Sequence, residues 1–164
     1  MTAVAEGTIA PDFALRATDG TTRRLRPSQR DGLVVLAFSK RSCPVCQFTL
    51  PFVDALHRAY AGQGVEIFGI SQDDRKTTLA FAAECNLALP YLIDADNYQV
   101  SAAYGLTNVP TLFLVDGDGE VLINSVGFSQ ADIVEISKHL ARRRSVVFYD
   151  PFAGRDDIPQ FRPG

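Results

Sequence analysis

Leu33-Val34-Val35-Leu36-Ala37-Phe38-Ser39-Lys40-Arg41-Ser42-Cys43-Pro44-Val45-Cys46 is the stretch whose reading decides the fold. Its first half is an apolar run with β-branched residues, of a length that suits a buried strand. Its second half opens an apolar-rich segment of helical length, from Pro44 to about residue 61. Pro44 suits a first helical position, where its missing N–H has no partner to lose. A strand therefore hands over to a helix at two cysteines separated by two residues. Such a pair can close a disulfide across the first helical turn and open it again. The free N–H groups of that turn and the positive end of the helix dipole stabilise a thiolate there.

Working outward, Val65–Ser71 reads as a second central strand. Strand, helix and strand in this order imply a right-handed crossover and a parallel pair. Asp73 or Asp74 can cap a second helix that reaches about residue 83. A short apolar piece at Tyr91–Ile93 and a small helix near 98–104 follow. Thr111–Val115 and residues 120–123 flank Asp116-Gly117-Asp118-Gly119, a strong hairpin signal. Upstream, residues 12–25 read as a hairpin, with Phe13 and Leu15 alternating before the turn at Asp19-Gly20. Ser129 with Asp132 is a capping pair that opens a last helix, ending near Arg142. Pro51 falls inside the first helix and predicts a kink. The pattern is α/β: a central mixed sheet flanked by helices, with an N-terminal β-hairpin extension. Residues 1–142 form the one domain. Residues 143–164 carry Val146-Val147-Phe148-Tyr149 and then Pro151, Pro159 and Pro163. They read as an extended arm packed on the domain surface, with a homodimer contact or a frayed end as alternatives.

At 164 residues the chain is long enough for a proper core. A net charge of −3 leaves no nucleic-acid footprint. The dense basic run Arg142-Arg143-Arg144 most simply complements a helix C-terminus. No stretch approaches the ~20 apolar residues of a membrane span. The first residues lack a basic n-region and an apolar h-region, so a cytoplasmic address is expected. Three cysteines do not make a framework of structural disulfides, and a close pair in a reducing cytosol is catalytic or metal-binding.

Disulfide exchange needs an attacking thiolate, a leaving thiolate and access. Cys43 is the expected attacker, because it precedes the helix. Lys40 and Arg41 add positive potential beside it, which lowers its expected pKa below the ~8.5 of a free thiol. Cys46, one turn into the helix, is the more buried partner that resolves the mixed disulfide. A zinc half-site would need about four ligands. The remaining candidates are Cys85, His57 and His139, and none brings a second ligand at metal spacing. Cys85 shares a helix face with Phe81 and reads as core. Asp116 to Glu120 lacks the ~12-residue spacing of a calcium loop. No metal and no cofactor is expected. Val109-Pro110-Thr111 places a proline just before an apolar strand. It reads either as an edge-strand start or as a cis-proline beside the cysteines.

Assembled, these pieces resemble the thioredoxin-like superfamily. The chain is most similar to its redoxin branch, the AhpC/TSA-like proteins and the thiol–disulfide oxidoreductases of the ResA/TlpA type. The likeness spans about residues 10–140. It rests on Ala10-Pro11-Asp12-Phe13, the strand with Cys43-Pro44-Val45-Cys46, Pro51, Gly69-Ile70-Ser71 to Asp94, Ala103-Tyr104-Gly105, Val109-Pro110-Thr111 and Asp116-Gly117-Asp118-Gly119. The resemblance implies that Pro110 is cis and that the Val109 backbone pairs with a bound substrate strand. It also carries over Cys43 as nucleophile and Cys46 as resolving cysteine. The tryptophan usual before the first cysteine is Ser42 here. The buried acid of the strand is Ala37, and the glutamate after the second cysteine is Thr49.

The leading function is thiol–disulfide exchange with a disulfide-containing protein or small thiol substrate, recycled by a thiol reductant. A thiol peroxidase is the alternative. Peroxidases of this fold want a hydroxyl residue three positions before the nucleophile and a proline four before that, where this chain has Lys40 and Leu36. A non-catalytic binding module is the third reading, and the intact cysteine pair argues against it.

Overall fold

The structure, a computed structural model, describes residues 2–25 and 32–164. In chain order its elements are β1 (Ala14–Ala17), β2 (Thr22–Arg24), β3 (Leu33–Ser39), α1 (Pro44–Tyr60), β4 (Val65–Ser71), α2 (Arg75–Glu84) and β5 (Tyr91–Ile93). There follow α3 (Gln99–Ala103), β6 (Thr111–Val115), β7 (Val121–Val126), β8 (Phe128–Ser129), α4 (Gln130–Arg144) and β9 (Phe161–Arg162). Seven strands form one sheet in the order β2-β1-β5-β4-β3-β6-β7. The β3–β4 and β4–β5 pairs are parallel, while β6 runs antiparallel to β3. The sheet is therefore mixed, and the expected α/β architecture is the one observed. The N-terminal hairpin β1–β2 extends it at one edge through β5.

All seven residues of β3 are buried, because both faces of this strand are covered. Val35 and Ala37 point toward α1, α2 and α4, into a core with Leu50, Leu56 and Ile136. Val34, Leu36 and Phe38 point the other way, onto Phe13, Tyr104 and Phe113. Each large apolar side chain so buried is worth roughly 1.5–3 kcal/mol relative to exposure. Tyr91 lies flat over Gly69 of β4, a contact that leaves no room for a Cβ there.

Local signals set the element ends. Asp74, rather than Asp73, caps α2 by accepting from Thr77 N at 2.8 Å. Ser129 caps α4, accepting from Asp132 N at 3.2 Å. Two spans are longer than the sequence indicates. β7 continues through Asn124 and Ser125 because their polar side chains find partners, Val4 O for one and Asp132 for the other. α4 continues through Arg144 to a left-handed Ser145, whose N–H closes on Ala141 and Arg142 carbonyls.

Beyond Ser145 the chain folds back onto the domain. Phe152 is 6% exposed, with its ring 4.8 Å from Phe52 and 5.9 Å from Phe128. Ile158 is buried in the same cluster. Tyr149 N donates to the buried Tyr60 hydroxyl at 2.7 Å. The run 146–149, the most apolar part of this segment by sequence, instead faces outward, with Val147 90% exposed. Strand β9 then pairs antiparallel with β8, Phe128 opposite Arg162. Among the described residues no helix is long and apolar enough to cross a membrane.

Candidate active site

The end of β3 and the start of α1 position both cysteines. Cys43 is the N-cap of α1 in extended geometry, with Pro44 in the first turn. Its Sγ accepts from Cys46 N at 3.1 Å, the capping bond that a serine or aspartate makes elsewhere. The preceding loop is pinned from several sides. Cys43 N donates to Lys40 O, Gln72 N donates to Ser39 O at 3.0 Å, and Arg41 N donates to Asp73 Oδ2 at 2.6 Å. Gln47 Nε2 reaches back to Arg41 O at 2.7 Å.

The two cysteines have unequal surroundings. Cys43 keeps 8% exposure and Cys46 has none. Both are free thiols. Burial pushes the Cys46 thiol well up, and its side-chain contact with Cys43 pushes the same way. A backbone hydrogen bond from Lys40 and the Lys40 charge offset part of that rise. So Lys40, expected to act on the first cysteine, bears on the second. The Arg41 guanidinium is ion-paired with Glu84, which absorbs its charge at the surface.

The Val109–Pro110 peptide is cis, and Pro110 is buried. This loop packs beside the first cysteine: Cys43 Sγ donates to Val109 O at 3.4 Å. The loop is tied on its far side by Gly127 N donating to Pro110 O at 2.8 Å. Cys43, Cys46, Val109 and Pro110, distant in sequence, thus form one site at the edge of β6 and the tip of α1.

Among the described residues no carboxylate hydrogen-bonds to Cys46. Thr49, at the position of the family's glutamate, donates its hydroxyl to Val45 O at 2.6 Å. Ala37 is fully buried and apolar. The buried Asp54 accepts from Ala88 N, Leu89 N and Arg58. Asp94 caps α3 through Val100 and Ser101. Sequence reading overlooked a different polar group. The Tyr91 hydroxyl and Ser39 Oγ are buried and face one another, yet neither closes a well-aligned hydrogen bond. Burial drives the Tyr91 phenol up, and Cys46, Cys85 and Asp54 are near enough to add to the rise. Sequence could have flagged Tyr91 as a polar-tipped aromatic in a short central strand.

Cys85 ends α2, half-buried against the core, and burial raises its thiol. His57 and His139 stand apart from the cysteines, and burial lowers both. Among the described residues no three metal-ligating side chains cluster.

The AhpC/TSA family profile matches residues 7–123. The thiol-disulfide oxidoreductase ResA of Geobacillus thermodenitrificans (strain NG80-2) is 38% identical over 121 residues, 73% of this chain and 68% of its own length. ResA of Halalkalibacterium halodurans is 31% identical over 130 residues, 79% of this chain and 73% of its own. Among solved structures, a putative thiol:disulfide interchange protein DsbE from Chlorobium tepidum superposes with a TM-score of 0.73 at 27% identity, covering 85% of this chain and 98% of that one. A putative protein disulfide isomerase from Bacteroides thetaiotaomicron gives 0.75 at 23% identity, covering 88% and 95%, and shares the fold. The chain belongs to the AhpC/TSA family, has the thioredoxin-like fold, and is a thiol–disulfide oxidoreductase.

Proposed function

We propose that the chain exchanges disulfides through Cys43-Pro44-Val45-Cys46, with Cys43 attacking and Cys46 resolving. The observation that carries this reading is the asymmetry of the pair: a rim thiol 3.4 Å from Val109 O, and a sealed thiol one turn behind it. The Cys43 thiolate attacks one sulfur of a substrate disulfide. A Cys43–substrate bond forms, the substrate S–S bond breaks, and the departing thiolate takes a proton. The Cys46 thiolate then attacks Cys43 Sγ, forming the Cys43–Cys46 disulfide and releasing the second substrate thiol. Two electrons pass from protein to substrate, and a dithiol reductant returns them.

Val109 supplies backbone for an extended substrate, and buried Pro110 holds that backbone against Cys43. Tyr91, whose phenol feels Cys46, and Ser39 beside it are polar groups that can relay the Cys46 proton where the family's carboxylates are absent. Insulin disulfide reduction with dithiothreitol as reductant tests the reading. Wild type accelerates it and Cys43→Ser does not; equal rates for the two would defeat the proposal. Peroxide consumption that outpaces insulin reduction would favour the peroxidase alternative.

A further inference from the structure

The last residues of the chain lie across this site. Gln130 N donates to Gln160 O at 2.9 Å, which delivers β9 onto β8. The Arg162 guanidinium sits 4.1 Å over the Phe48 ring of α1. Arg162 O rests on Gly127, where a Cβ would come within 2.5 Å of it, so only glycine admits the segment. Asn108 Nδ2 donates to Gly164 O at 3.0 Å. A Cβ on Gly164 would lie 2.7 Å from Val109 O, the same oxygen that Cys43 Sγ contacts.

Residues 161–164 therefore cover the loop edge at Val109 and Gly127 that an extended polypeptide would have to pair with. All four are exposed on their outer side, so nothing buries them in place. We propose that residues 161–164 determine substrate size: they occupy the strand position beside Val109, admitting small disulfides to Cys43 while protein disulfides must first displace them. This rests on the exchange reading above. Specificity then arises from obstruction of the wrong partner, with no added attraction for the right one.

The test compares the full chain with a variant ending at Gln160, which retains Phe152 and Ile158. Insulin is the polypeptide substrate and bis(2-hydroxyethyl) disulfide the small one. Truncation is expected to raise kcat/KM for insulin about tenfold while the small disulfide stays within about twofold. Gly164→Ala, which only crowds Val109 O, is expected to move the insulin value the same way by less. A turnover-free arm follows alkylation of Cys43 by iodoacetamide and by a polymer-linked maleimide, with the modified peptide identified by mass. Truncation should speed the bulky reagent alone. Unchanged insulin and maleimide rates, or a parallel fall for both substrates, would overturn the inference. A full chain that exchanges no disulfide would overturn the functional reading instead, and the alkylation arm would still decide the role of residues 161–164.

Discussion

The first turn of α1 and the segment after α4 converge on one atom, the Val109 carbonyl, and they reach it by different physics. Cys43 gets there by local geometry. A strand end, an N-cap and a proline in the first turn place its sulfur within a few residues of chain. Gly164 gets there only because Phe152 and Ile158 anchor the returning chain in the core cluster of α1 and α4 and β9 then zips onto β8. The first arrangement is written in adjacent residues. The second depends on Phe152 meeting both Phe52 in α1 and Phe128 in β8, partners from two separate parts of the chain. The contrast implies that the cysteine chemistry and the position of the tail can be separated by mutation.

The largest separating effect is expected from Phe152→Ala. It removes a ring packed on Phe52 and Phe128, and large-to-small changes of this kind cost about 3–5 kcal/mol. Urea denaturation should show that loss, while Cys43 still forms mixed disulfides under native conditions. A stability unchanged by the substitution would mean that the tail is not anchored as described.

The pH dependence sharpens the cysteine side of the contrast. Burial holds the Cys46 thiol protonated far above the ordinary thiol range, so its thiolate fraction grows about tenfold per pH unit across neutral and mildly alkaline conditions. Release of the second product in single-turnover experiments should rise with the same slope. A release rate flat between pH 7 and 9, roughly spanning the free-thiol value, would show that proton loss from Cys46 does not limit it. The linkage has a definite sign. Because the folded value is raised, the reduced fold has its full stability below the free-thiol value. It loses stability as pH climbs, because the unfolded chain releases this proton first.

The smallest effect is expected at Tyr91. Its buried hydroxyl lacks a good partner, so Tyr91→Phe should leave the fold as stable or raise it by about 1 kcal/mol. The same change should slow product release about fivefold, equivalent to about one hydrogen bond. An unaltered release rate would leave Tyr91 with a packing role over Gly69 alone.

Much of this architecture is legible in the sequence because its signals are short-range. β3, α1, β4 and the turn at Asp116 to Gly119 follow from apolar runs, a first-turn proline and glycine spacing. The cis Val109–Pro110 peptide follows from the family resemblance, whereas the residues alone favour an edge-strand start. The tail was misleading for a physical reason. The side chains of its most apolar run, 146–149, stay largely exposed, while isolated Phe152 and Ile158 meet the aromatic cluster of α1 and β8. Nor does sequence distance reveal that the Lys40 charge falls on Cys46 or that Glu84 takes up Arg41. Tyr91 is similar: its polar tip matters only once β5 sets it over Gly69 near both cysteine and serine.

The central claim is the division of labour between Cys43 and Cys46, and trapping tests it most directly. Cys46→Ser and Cys43→Ser are each incubated with oxidised insulin and analysed on non-reducing gels with mass mapping of the adduct. The account predicts a stable mixed disulfide on Cys43 in the Cys46→Ser protein and none on Cys46 in the Cys43→Ser protein. An adduct on Cys46, with none on Cys43, would contradict it.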